Sequence, residues 1–414
     1  MADGRDRRDR RDRRVAVTGI GLICALGGDR ETVWARMLEG ACGIGPVTLF
    51  ETAGFRSQIA AEVDLTDRLG SLTPYERRRW SRSDQLAVLA AGEALADAGL
   101  LDSAVDRTRV GVLLGAGTGD LLRNEDYLFT YLGEGIDRTR PTEIFHHFSN
   151  IPVDIVASKF DLTGLRACFV SACSSSTIAI GHAADAIADG QLDAAVCGGA
   201  DALARLTFSG FNALRLMDPS PCRPFDVTRA GMNIGEGAAI LVLEELERAQ
   251  RRGAPIYAEL AGYGLGCEAY HPTAPEPEGL AVARTIRAAL DSAGVNPDEV
   301  GHVNCHGTAT PQNDKAEAKS LHVVFGDRAR RIPANSIKSM IGHCLGTAGA
   351  MEAATLALTL ARGVIPPTIN HGATDPDCPL DIVANQPRET AVSCGISTSL
   401  AFGGNDSVLV MRRL

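Results

Sequence analysis

At 414 residues, 45% hydrophobic and 22% charged, the chain carries enough apolar side chain for one large core or two domains. A formal net charge of −10 argues against a general nucleic-acid binder, because neutralising phosphates takes a basic surface. The eleven cysteines form no CxxC pair and cluster with no histidine at zinc-ligand spacing, which fits reduced thiols better than a disulfide framework.

Residues 1–14 hold seven Arg and four Asp and are expected to be a disordered tail. The following run is too useful as a strand to be an export signal, and no small-residue cleavage site follows it. No apolar run approaches the roughly 18–20 residues of a membrane span, so a soluble, cytoplasmic protein is expected. Val15–Ile23 reads as the first strand and Thr32–Glu39 as the start of the first helix. Residues 41–72 show turn residues and little periodicity. Ser83–Leu100 has a strong helical pattern stopped by Gly99, and Val110–Leu114 is a strand that breaks at glycines 115, 117 and 119. Residues 121–150 read as an inserted, partly helical segment.

Cys168–His182 is the centre of the chain. An apolar run reaches Val170, small residues follow, and a helical pattern of small apolar residues continues to Gly190. The pattern predicts strand, tight turn and buried helix, with Cys173 at the turn. Unpaired amides and the helix dipole there favour a thiolate, and the same amides suit an oxyanion. A buried Cys filling a gap has the same appearance. Ala194–Gly199 makes the next strand.

The second half repeats this plan. Ala289–Gly294 echoes Ala94–Gly99, each before a Val-rich strand, Val300–Cys305 or Val110–Leu114. Leu400–Gly404 echoes Ala195–Gly199. Recurrence about 190–205 residues apart points to two duplicated α/β halves with largely parallel, doubly covered sheets. His306 ends the repeated strand, and His343 sits at a Gly-rich turn entering a helix. A neutral imidazole at such an edge can donate to a developing enolate or serve as a base. Lys338 and Glu352 flank His343 and can set the local field. Each of these residues also has an ordinary structural use.

Taken together, RRVAVTGIG, SACSSS, RPFD, GEGA, CHGTATPQNDKAEA, NSIKSMIGHCLGTAGAMEA, PPTIN and AFGG resemble the β-ketoacyl-acyl-carrier-protein synthases, condensing enzymes of the thiolase superfamily. The resemblance runs from about Arg14 to the C-terminus. It implies a thiolase-like fold of two βαβαβαββ halves, 15–258 and 259–414, in a five-layered α-β-α-β-α core. It also implies that Cys173 takes an acyl group from the phosphopantetheine arm of an acyl-carrier protein. His306 and His343 would then assist decarboxylation of a malonyl thioester, supported by Lys338 and Glu352. The amides of Cys173 and Phe402 would form the oxyanion hole, and Phe402 would be the gate. Thr308 and Thr310 would bind the pantetheine arm, while Thr118, Phe208, Phe211 and Met232 would line the acyl tunnel. Arg78, Arg79, Arg138, Arg140 and Arg215 are the candidate carrier-docking residues, because carrier proteins are acidic.

No bound cofactor is expected, and the dimer partner is a second copy or a chain-length-factor homologue. Ala401 and Asn405-Asp406 stand where fatty-acid synthases of this type usually have Gly and Thr-Asn. Gln312-Asn313 resembles the ketosynthase subunits of type II polyketide synthases, and Met232-Asn233 is a further departure. The favoured reading is a ketosynthase making a polyketide or polyene chain. The alternative is the elongating synthase of primary fatty-acid synthesis. A non-catalytic chain-length factor is disfavoured by Cys173, and a degradative thiolase by Phe402 in place of a second reactive Cys.

Overall fold

The first β-rich run forms the strand Val15–Cys24, every residue of it buried. Apolar side chains along a strand without alternation are what burial on both faces requires. The protein is described from a computed structural model over residues 13–101, 105–119, 121–140, 142–143 and 148–414. Val15–Cys24 pairs antiparallel with Gly237–Glu245, which continues through Ala194–Asp201 and Val110–Gly115 to Arg166–Phe169. In the second half Ala258–Cys267 pairs antiparallel with Asn405–Arg412, which continues through Cys394–Ala401 and His302–Asn304 to Pro333–Asn335. Both sheets therefore have spatial order first, fifth, fourth, second, third, with only the fifth strand reversed. A short pairing of Val15–Val17 with Ala258–Leu260 joins them.

Two helices lie between the sheets, Ser175–Ala188 and Ala348–Arg362, and they share one apolar cluster with both. Close packing of these helices depends on small residues. A Cβ at Gly349 would collide with the Thr177 side chain. Arg82–Asp97 and Ile151–Lys159 cover the outer face of the first sheet, and Leu280–Ala293 and Pro311–Phe325 that of the second. The result is five layers, α-β-α-β-α, around two apolar interiors. Arg82–Asp97 begins one residue before the expected Ser83 because Ser81 caps it in a reciprocal box with Asp84.

Some expectations need adjustment. Leu400–Gly404 and Ala195–Gly199 do belong to equivalent fourth strands, but not in the same register. Gly198 and Gly199 lie inside their strand, whereas Gly403 and Gly404 form the turn beyond theirs. Of the charged tract 1–14, residues 1–12 lie outside the described residues. Arg14 does not belong to a free tail, since its guanidinium forms a two-point pair with the buried Glu259. The segment 121–150 contains the helix Leu121–Glu134 and a short turn at Ile136–Arg138, while residues 141 and 144–147 lie outside the described residues. Among the described residues no helix is long and apolar enough to cross a membrane.

Candidate active site

The small residues of Ser171–Ser176 make the turn that presents Cys173. Ala172 takes φ +46°, and serine side chains close the loop around it. Ser174 Oγ donates to the Ser171 carbonyl at 2.8 Å, Ser175 Oγ donates to the Ala172 carbonyl at 2.7 Å, and the Ser171 N–H donates to Ser175 Oγ at 2.8 Å. Ser176 reaches across the layer and accepts from the Ala350 N–H. The run of serines is thus the internal bracing of the turn.

The sulfur is buried, and its own backbone N–H and that of Phe402 are directed at it. Burial nevertheless pushes the thiol up to about 11, against the opposing pull of Lys338 and the two amides. Desolvation thus opposes the amides and helix terminus that favour a thiolate, and it outweighs them. The thiol proton has a receiver. His343 Nε2 lies 2.9 Å from Cys173 Sγ.

His306 stands edge-on to His343, with ring centres 5.3 Å apart. Burial and the Lys338 charge hold both imidazoles well below the usual histidine value, so both are neutral. Lys338 Nζ is 3.3 Å from His306 Nδ1 and donates to the His306 carbonyl at 2.6 Å. An ammonium has only donors, so Nδ1 accepts and the ring proton resides on Nε2. Lys338 also pairs with Glu352, and both are almost completely buried. Burial raises the Glu352 carboxyl to about 7 against the pull of that ammonium. From Glu352 the polar chain continues to Ser399 Oγ, which bonds Thr177 Oγ1 at 2.9 Å.

A cleft opens over Cys173, His306 and His343, lined also by Phe402, Thr308, Thr310, Phe211, Met232 and Gln312. The Thr308 and Thr310 hydroxyls are 2.9 Å apart. Phe402 stacks on Phe211 with centroids 5.5 Å apart. Two residues expected along the acyl tunnel do not line this open cleft. Phe208 is wholly buried between Phe50 and Phe55, edge-on to both, because it is on the inward face of the helix Arg205–Ala213. Thr118 spends its hydroxyl on Asp201 and is not among the cleft residues. Arg78, Arg79, Arg138, Arg140 and Arg215 are all exposed. Arg138 and Arg140 share a groove with Arg123, whose guanidinium is bonded to the Arg79 carbonyl.

The sequence reading passed over three buried carboxylates that hold the loops in place. Glu317 accepts from the N–H groups of His306 at 2.7 Å and Gly307 at 2.8 Å. Asp314 accepts from Phe225 and Ala309, and Asp201 accepts from Gly117 and Thr118. Burial raises Asp314 and Asp201 to about 6. Asp314 and Glu317 stood within the quoted motif, three residues apart at one helical turn, and that spacing was the available signal. Cys173, His306 and His343 bring nitrogen and sulfur within 4.8 Å of one another. With Lys338 holding its proton on Nε2, His306 offers a hydrogen-bond donor there rather than a free lone pair for a metal.

Residues 12–249 match the family described as "Beta-ketoacyl synthase, N-terminal domain", and residues 257–371 match its C-terminal domain. The chain belongs to the β-ketoacyl synthase family. It is an acyltransferase that forms carbon–carbon bonds. It is 38% identical to a 3-oxoacyl-[acyl-carrier-protein] synthase 2 of Synechocystis, over 97% of this chain and 98% of that relative. Similar synthases from Staphylococcus aureus are 37% identical over the same share of each chain. Among solved structures, the ishigamide ketosynthase/chain length factor superposes with TM-score 0.93 at 37% identity, over 97% of this chain and 99% of that one. A type II polyketide ketosynthase complexed with its acyl-carrier protein superposes with TM-score 0.90 at 32% identity, over 97% and 99%.

Proposed function

We propose that this β-ketoacyl synthase lengthens an acyl chain by decarboxylative condensation with a malonyl-acyl-carrier protein, in polyketide or polyene synthesis. The observation that carries the chemistry is the Cys173 sulfur 2.9 Å from His343 Nε2, with two backbone amides aimed at it. In the first step the thiol proton passes to His343 and the sulfur attacks the acyl thioester of a carrier protein. The oxyanion sits on the amides of Cys173 and Phe402. The pantetheine sulfur leaves with the proton, and the acyl group stays on Cys173.

A malonyl thioester then enters, with Thr308 and Thr310 beside its pantetheine arm. Its carboxylate bond breaks, carbon dioxide leaves, and the electron pair moves onto the thioester carbonyl as an enolate. His306 Nε2–H and His343, once its ring proton has moved from Nδ1 to Nε2, stabilise that enolate as neutral donors. The enolate carbon attacks the Cys173 thioester, and the Cys173 sulfur leaves as a thiolate that takes up one proton from solvent. The product is two carbons longer and carries a β-ketone. Lys338 keeps the His306 proton on Nε2, and Glu352 balances that ammonium.

Likeness to the ishigamide ketosynthase, together with Gln312 beside Thr310 in the cleft, supports the specialised-metabolism reading. The 38% identity to a 3-oxoacyl-[acyl-carrier-protein] synthase 2 favours primary fatty-acid elongation as the second reading. The partners proposed are an acyl-carrier protein, docked on the exposed arginines, and a second copy or a chain-length-factor homologue. Purified protein, with and without its co-purifying partner, is given short acyl- and malonyl-carrier proteins and followed by intact mass. Stepwise retention of β-ketones that needs a partner homologue supports the polyketide reading. Elongation of saturated acyl groups by the chain alone supports the fatty-acid reading. Absence of acylation on Cys173 under either condition overturns both.

A further inference from the structure

Alternate side chains of the strand Asn405–Arg412 point to opposite faces. Val408 and Val410 enter the apolar layer under the helices Leu280–Ala293 and Pro311–Phe325, as does Leu400 from the neighbouring strand. Asp406 stands in that same row, two positions before Val408 and directly opposite Leu400. It is 2% exposed, and neither carboxyl oxygen has a hydrogen-bond partner among the described residues. An ionised carboxylate without donors in such a layer costs far more than its neutral form.

Asp406 also lies at the base of the turn that carries Phe402. Leu400 with Asp406 and Ala401 with Asn405 are the last rungs of this hairpin. Above them Gly403 N–H donates to the Pro272 carbonyl at 2.8 Å, and Glu268 N–H donates to the Gly404 carbonyl at 2.9 Å. Across the other ladder Asp406 faces Gly266, two residues before Glu268, whose side chain lines the cleft. The charged groups acting on Asp406 are Glu268 on this side, Glu317 from the helix Pro311–Phe325, and Arg284 from the helix Leu280–Ala293. Burial and the two carboxylates outweigh Arg284, which raises Asp406 to about 8.

We propose that Asp406 is held as a neutral carboxylic acid and acts as a positioning residue: in that state the Phe402–Gly404 turn closes over Cys173, and its ionisation loosens the turn. This rests on the reading of Phe402 as the moving side chain of the cleft. Since the value in the closed turn is raised, the stabilisation of that turn is complete below the ordinary carboxylate range and is lost as pH rises through about 8. The carboxyl lies on the second rung beneath Phe402, so the second oxyanion donor is set by a group that never touches substrate.

Two readouts test this on the full chain, with Asp406→Asn as an isosteric stand-in for the neutral acid. The first is the infrared difference between wild type and Asp406→Asn. A protonated-carboxyl carbonyl band is expected in the wild type near neutral pH and should vanish at alkaline pH. The second is the rate ratio for labelling Cys173 with a bulky maleimide and with iodoacetamide, read by peptide mass. The ratio cancels the thiolate fraction of Cys173. It is expected to rise about threefold or more between neutral and alkaline pH in the wild type and to stay flat in Asp406→Asn. Glu268→Gln removes one carboxylate and is expected to move the midpoint down. No carbonyl band at neutral pH, or the same rise in Asp406→Asn, overturns the proposal. If neither reagent labels Cys173, the nucleophile reading fails instead, and the infrared band still decides the state of Asp406.

Discussion

In the first half the third strand, Arg166–Phe169, runs into a helix through a turn that carries Cys173. In the second half the third strand, Pro333–Asn335, leads to a helix through a longer connection that carries Lys338, at the start of the short helix Lys338–Ile341, and His343 just after it. The ends of the second strands compare in the same way. Gly117 and Thr118 leave one, their amides gathered by the buried Asp201. His306 and Gly307 leave the other, their amides gathered by the buried Glu317. Duplication supplied two equal sets of turns, and the chemistry was then divided between them. One set presents a nucleophile among small residues. The other presents the groups that manage proton and charge.

The sharpest way to break this division is to remove the nucleophile. Cys173→Ala is expected to lower condensation by at least about a thousandfold and to abolish the acyl-enzyme mass, while the second-half site stays intact. Next in size come His306→Ala and His343→Ala, each expected to slow malonyl decarboxylation by about 10²–10⁴-fold. Carbon dioxide release measured apart from Cys173 acylation separates the two halves, since His306→Ala should leave acylation in place.

A third variant addresses the buried pair. Lys338→Met leaves the Glu352 carboxyl without its ammonium and is expected to destabilise the fold by about 3–5 kcal/mol. Lys338→Met combined with Glu352→Leu should recover much of that loss in denaturant titration but none of the decarboxylation. Recovery of activity as well would mean that the pair only packs.

The two phenylalanines of the helix Arg205–Ala213 give a smaller contrast. Phe208→Ala empties a filled core site and should cost about 3–4 kcal/mol with normal acylation. Phe211→Ala removes the ring stacked on Phe402 and packed at the edge of the cluster around Phe208, and should cost less stability than Phe208→Ala while altering acyl preference. The protonation of the second half can be read directly. Nitrogen NMR should find His306 and His343 neutral well below the usual histidine value, because both are depressed by burial and Lys338. Neutral burial of this kind contributes stability that is complete above about 6.5 and is lost as pH falls toward the folded values. Finally, Arg215→Glu should raise the KM for a carrier-bound substrate only a few-fold, and less so at high salt.

Much of this was readable in the chain. Small residues after a β-rich run can only make a tight turn before a helix, so the Cys173 turn was visible in SACSSS. The repeat of helix, strand and Gly revealed the duplication, although not the register of the fourth strands. Local sequence carries element type because periodicity and turn chemistry act over a few residues.

Charge state and placement belong to the assembled core. A helix terminus favours a Cys173 thiolate, and burial, which only the folded core supplies, pushes the other way. Phe208 and Phe211, three residues apart on one short helix, separated into core and cleft only when the helix was docked. Asp406 reads as an ordinary polar residue near a turn until the helices of the second half close over it. The sequence by itself determined which side chains are available and which turns present them. Desolvation and the direction of each side chain depend on layers more than a hundred residues apart in the chain, so only the tertiary structure decided them.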